Sequence, residues 1–93
     1  MSRKAPNATP LSVLIVEHDP ADIELCILEL QRGGFEVYAD VVDDTDAFIA
    51  RLANQTYDVI LSDYRLPGWN GMEALQTLRA AGLDIPFILV TGT

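Results

Sequence analysis

Four side chains able to do chemistry stand at the ends of apolar runs. Asp63 closes the run Val59-Ile60-Leu61-Ser62, the pair Glu17-His18 follows Leu11 to Val16, and Thr91 follows Phe87-Ile88-Leu89-Val90. Brought to one place, two carboxylates, an imidazole and a hydroxyl suggest a divalent cation site, because clustered negative charge is costly unless a cation or proton offsets it. Each residue also has a plainer reading. Asp63 can be a turn-former or cap, Glu17 a solvated member of an acidic chain, and Thr91 a β-branched residue finishing a strand. Which reading holds depends on the elements that carry them.

Leu11 to Val16 is nearly continuous apolar sequence, as expected of a strand buried on both faces of a parallel sheet. Pro20 suits the first position of a helix with Asp19 as its N-cap. Ile23, Cys26, Ile27 and Leu30 follow at helical spacing, and Gly33-Gly34 ends the element. From Phe35 to Val42 the pattern alternates, with Phe35, Val37, Ala39 and Val41 on one side and Glu36, Tyr38 and Asp40 on the other. One wet face predicts an edge strand.

Asp43-Asp44-Thr45 supplies caps and favourable charge for a second helix, whose apolar face holds Phe48, Ile49 and Leu52. After Asp63, Pro67-Gly68 marks a turn and Gly71 leads into a third helix with Met72, Leu75 and Leu78, which is expected to stop at Gly82. Trp69, in the loop between them, is expected to be exposed, with a partner contact and a packing role equally open.

The order is β-α-β-α-β-α-β. It predicts an α/β fold with parallel strands joined by right-handed crossovers. With the wet second strand at one edge, the spatial order becomes 2-1-3-4, the start of a flavodoxin-like doubly wound sheet whose ligand crevice lies beyond the carboxyl ends of the strands. The fourth strand is apolar on both faces, as an interior strand would be, so a C-terminal helix-strand-helix is expected after Thr93. Left bare, such an edge invites pairing with another chain.

At 93 residues the chain makes at most one small domain, and its net charge of −8 argues against a nucleic-acid surface while suiting a cation site. The single cysteine, Cys26, is read as a core residue, and the lack of a disulfide partner favours a reducing, cytoplasmic setting. No apolar run approaches the roughly 18 residues of a membrane span. Residues 1–10 are expected to be a disordered leader and 11–93 the folded domain.

Three stretches carry a resemblance to a known family. They are Val-Glu-His-Asp-Pro-Ala-Asp after the first strand, Ser-Asp-Tyr-Arg-Leu-Pro-Gly-Trp-Asn-Gly-Met-Glu-Ala-Leu through the central loop, and Pro-Phe-Ile-Leu-Val-Thr-Gly-Thr at the end. In these the chain resembles the receiver domain of bacterial two-component response regulators, from its first strand through its fourth. The resemblance implies that Asp63 accepts a phosphoryl group from a phosphohistidine of a histidine kinase or phosphotransfer protein. It further implies Mg2+ held by Glu17, the residue at position 18, Asp63 and the backbone carbonyl of Arg65, with Thr91 hydrogen-bonding the phosphoryl oxygen.

Two departures from the family pattern stand out. His18 occupies a position where the family has a metal-binding Asp, which predicts weaker Mg2+ binding, a shift toward Mn2+ or Zn2+, and slower phosphorylation; Asp19 or Asp22 could compensate through water, and a solvent-facing His18 is the bland alternative. The Lys that the family keeps on a fifth strand has no counterpart here, and a homodimer through the exposed fourth strand is expected to cover it. The main rival is a pseudo-receiver, a protein-interaction module that is not phosphorylated. An aspartyl phosphatase would want an Asp where Glu17 stands, and a flavin-binding relative would want a hydroxyl-rich loop after the first strand.

Overall fold

The structure, a computed structural model, describes residues 8–90. Its elements in chain order are β1 (Thr9–Val16), α1 (Pro20–Arg32), β2 (Phe35–Val42), α2 (Thr45–Asn54), β3 (Val59–Asp63), β4 (Arg65–Leu66), β5 (Trp69–Asn70), α3 (Gly71–Ala80) and β6 (Phe87–Val90). The main sheet has the order β2-β1-β3-β6, all pairs parallel, which is the predicted flavodoxin-like arrangement.

Register fixes the functional edge. Val16 lies opposite Val42 on one side and Ser62 on the other, and Asp63 lies opposite Val90. The residues just past β1 and at the end of β3 therefore share one rim of the sheet.

Side-chain alternation along β1 divides the core. Val13 and Ile15 pack with Leu61 against Ile23, Cys26, Ile27 and Leu30 of α1. Leu14 and Val16 point the other way, into a cluster with Phe48 of α2 and Ala74 and Leu78 of α3. A strand buried on both faces reads as an unbroken apolar run for this reason. Cys26 is half-buried at the α1 side of the sheet, less enclosed than a core position.

Helix starts follow the capping chemistry. Asp19 Oδ1 accepts from Ala21 N at 2.9 Å, Asp44 Oδ1 from Ala47 N at 2.7 Å, and Asn70 Oδ1 from Glu73 N at 3.0 Å. α3 ends at Ala80, before the expected Gly82, which takes a φ of 73° in the turn beyond.

Some expectations change. β1 begins at Thr9, so Thr9 and Pro10 of the expected leader belong to the sheet, while residues 1–7 lie outside the described residues. In β2, Val37 and Ala39 face the α1 cluster, but Val41 is exposed and Val42 is buried against the other helices. Ile49 is exposed, so the buried face of α2 centres on Phe48. β6 pairs with β3 alone among the described residues and leaves Ile88, Leu89 and Val90 exposed.

Candidate cation and phosphoacceptor site

Glu17 follows directly on β1, where its backbone N–H donates to Val42 O at 3.0 Å and continues the ladder to β2. The residue is 7% exposed. Its Oε2 accepts from the backbone N–H groups of His18 at 3.0 Å and Asp19 at 3.1 Å. Two amide donors satisfy the buried oxygen, and among the described residues no arginine pairs with it. Oε1 is left for another ligand.

His18 is held beside that carboxylate by its own backbone hydrogen bond. The imidazole Nδ1 stands 3.5 Å from Glu17 Oε2, too far for a good hydrogen bond, and the side chain is 51% exposed. Asp63, half-buried at the end of β3, accepts from Tyr64 N through Oδ1 at 2.8 Å, which leaves Oδ2 free. Ligand atoms of Glu17, His18 and Asp63 all lie within 4.8 Å of one another. The expected juxtaposition of these three side chains is therefore present, and their two carboxylates and one imidazole fit a divalent cation by charge and donor type.

The backbone around Asp63 is crowded. Ser62 is fully buried, and its Oγ donates to Asp63 O at 2.9 Å. Gly71 N donates to Tyr64 O at 2.8 Å, bringing the start of α3 onto the end of β3. A Cβ on Gly71 would meet Asp63 O at 2.8 Å and Ser62 Oγ at 3.3 Å, and would collide with Leu89 Cδ2. Glycine is required there for close approach, not for an unusual φ.

Between Asp63 and Gly71 the chain forms a small hairpin that patterning did not predict. Arg65 pairs with Asn70 and Leu66 with Trp69, antiparallel, across Pro67-Gly68, where Gly68 takes a φ of 78°. Pro followed by a positive-φ Gly is the residue pair such a turn favours. Arg65 is exposed in β4. Trp69 is buried at 8% exposure, contrary to expectation. Its ring packs on Phe48 with centroids 5.6 Å apart, and its Nε1 donates to Asp43 O at 3.1 Å.

Asp19 spends Oδ1 on its helix cap and so is not a spare ligand on that oxygen. The Cys26 thiol feels the acidic rim. Burial pushes its pKa up, and the charges of Glu17, Asp22 and Asp63 push it further. Thr91 lies outside the described residues.

Residues 13–93 match the family described as the response regulator receiver domain. The chain is 31% identical over 83 residues to the cell cycle transcriptional regulator CtrA of Caulobacter vibrioides, an alignment covering 89% of this chain and 35% of that protein. It thus spans about a third of the length of the curated relatives it matches, with coverage of 34% for the corresponding Brucella ovis regulator. Among solved structures it is similar to a response regulator receiver domain from Methylobacillus flagellatus, with a TM-score of 0.74 and 32% identity, covering 91% of this chain and 72% of that one. It is also similar to the response regulator TrrA from Thermotoga maritima in complex with Mg2+ and BeF, with a TM-score of 0.75 and 28% identity, covering 89% of this chain and 70% of that one.

Proposed function

This chain belongs to the response regulator receiver domain family, and on that premise we propose that it is a phosphoacceptor module of a two-component phosphorelay. In this reading 11–93 form the receiver unit, and Asp63 takes a phosphoryl group from a histidine kinase or phosphotransfer protein. The observation that carries the reading is the cluster of Glu17, His18 and Asp63 at the carboxyl ends of two adjacent parallel strands.

Asp63 Oδ2 is the proposed nucleophile, since Tyr64 N engages Oδ1 and fixes the carboxylate plane. Oδ2 forms a bond to phosphorus as the P–N bond of the phosphohistidine breaks, and the electron pair returns to the donor's ring nitrogen. Such transfer is mainly positioning and charge neutralisation. Ser62 and Gly71 do the positioning, by holding the Asp63 backbone between Ser62 Oγ and the start of α3. Glu17 Oε1, His18, Asp63 and the Arg65 carbonyl would hold a divalent cation, Mg2+ or, given the imidazole, Mn2+ by preference. When bound, it would neutralise charge on the carboxylate and phosphoryl oxygens. Thr91 is the proposed hydroxyl partner of a phosphoryl oxygen.

The module signals; it does not turn over a small substrate. We take its setting as cytoplasmic, consistent with the absence, among the described residues, of any helix long and apolar enough to cross a membrane. A second copy of this chain is the proposed partner for the exposed edge of β6, and a monomer whose sedimentation is independent of concentration would dismiss it.

The phosphoacceptor reading is tested with phosphoramidate, a small donor with a P–N bond, in the presence of Mg2+ or Mn2+. The expected product is a hydroxylamine-labile phosphoryl adduct on the native chain and none on Asp63→Asn. An adduct that survives in Asp63→Asn, or none on either chain, contradicts it; the second outcome favours the pseudo-receiver.

A further inference from the structure

We infer that His18 makes the cation site selective for borderline transition-metal ions, of the Zn2+ and Co2+ class, over Mg2+. The inference rests on the proposed cation site and specifies its occupant.

Each carboxylate at the site has one oxygen already committed to backbone. Glu17 Oε2 receives two N–H donors, and Asp63 Oδ1 receives one. Glu17 therefore offers Oε1, and Asp63 Oδ1, which accepts only one N–H, keeps a lone pair for a cation while Oδ2, the proposed nucleophile, stays open to phosphorus. The third side chain in reach is an imidazole, whose backbone is pinned to the same Glu17 oxygen and whose ring makes no side-chain hydrogen bond among the described residues. The side-chain donors thus number two oxygens and one nitrogen, with a charge of −2 that matches a divalent ion.

Mg2+ asks for six hard oxygens in a near-ideal octahedron and gains little from an imidazole. Here most of its shell would have to be water. Zn2+ binds well to three protein ligands of mixed oxygen and nitrogen type with a fourth position open, and affinity for N/O sites rises from Mn2+ through Co2+ to a peak at Cu2+ before Zn2+. An open fourth position is also where an incoming oxygen could bind. His18 is half-exposed, so its ring can rotate onto the ion without disturbing the core.

Calorimetric titration with Mg2+, Mn2+, Co2+ and Zn2+ tests this on the chain as given, on His18→Asp and on His18→Ala. Co2+ visible absorption serves as a direct reporter of a nitrogen ligand. All proteins carry Cys26→Ser to remove the one thiol that could bind these ions elsewhere, and circular dichroism verifies folding.

Affinity is expected to climb from Mg2+ to Zn2+. His18→Ala should weaken Zn2+ and Co2+ at least about tenfold, the lower bound known for loss of even an outer-shell metal partner, while His18→Asp, which exchanges the nitrogen for a third carboxylate, should strengthen Mg2+ and alter the Co2+ bands. Zn2+ affinity unchanged by both His18 variants, or Mg2+ bound as tightly as Zn2+, overturns the inference. No phosphoryl donor is present in these titrations. His18-dependent Zn2+ binding in a chain that never takes a phosphoryl group would therefore defeat the phosphoacceptor reading alone.

Discussion

The indole Nε1 of Trp69 donates to the backbone carbonyl of Asp43 at 3.1 Å, while the adjacent carbonyl of Val42 accepts from Glu17 N at 3.0 Å. Neighbouring carbonyls at the end of the edge strand thus tie down both the hairpin that carries Arg65 and the strand end that carries Glu17. The ring of Trp69 adds burial against Phe48. Trp69→Phe keeps an aromatic ring and loses the donor, so it should cost about 1 kcal/mol. Trp69→Ala should cost roughly 3–5 kcal/mol through the cavity it leaves. Urea unfolding of the variants measures both, and equal losses would contradict this division between ring and hydrogen bond.

Gly71 is expected to tolerate no side chain. Even the single carbon of Gly71→Ala would press on Asp63 O, Ser62 Oγ and Leu89 Cδ2. Overpacking of this kind costs about 1–3 kcal/mol. The strain also falls on the backbone that carries Asp63, the proposed nucleophile. Thermal unfolding should show the loss, and phosphorylation should slow beyond what the unfolded fraction explains. A variant as stable and as reactive as the native chain would argue against close approach at this point.

Tyr57 is a sensor of alkaline pH in the fold. Its hydroxyl donates to Asp40 Oδ2 at 2.6 Å, and burial, then that hydrogen bond and the Asp40 charge, raise its pKa to about 12. The unfolded chain has an ordinary tyrosine near 10. Unfolded protein then releases its proton first as pH rises, so the stabilising contribution is complete below about pH 10 and disappears toward pH 12. Chemical denaturation across that window should show a decline in the native chain that is reduced in Tyr57→Phe. Parallel pH profiles would contradict the assignment.

Cys26 should report cation binding from a distance. Burial and the charges of Glu17, Asp22 and Asp63 hold its thiol protonated, and the thiolate is the reactive form. A cation at the rim neutralises Glu17 and Asp63 together. Alkylation by iodoacetamide should therefore speed up on cation binding, and also in Asp63→Asn without any cation. A rate indifferent to both changes would mean that the thiol does not sense the site.

The sheet order was legible because alternation from Phe35 to Val42 marks an edge strand and the run Leu11 to Val16 marks a central one. The site was legible in part for the same reason, since Glu17, His18 and Asp63 each end an apolar run and parallel strands deliver such ends to one rim. The β4–β5 hairpin was not legible. Strands of two residues have no periodicity to detect. Trp69 was misplaced because its burial depends on a pocket that Phe48 and the Asp43 carbonyl create only in the folded chain. The commitments of Glu17 Oε2 and Asp63 Oδ1 to backbone amides likewise arise from local turns that residue types alone do not specify.

Asp63 is proposed to accept a phosphoryl group with the help of a cation. Intact mass after incubation with acetyl phosphate tests it most directly, comparing the native chain, His18→Asp and Asp63→Asn with Mg2+, with Mn2+ and with chelator. One cation-dependent phosphoryl adduct is expected on the first two chains, formed faster with Mg2+ when His18 is replaced by Asp, and none on Asp63→Asn. An adduct that persists in Asp63→Asn or in chelator, or no adduct on any chain, would contradict it.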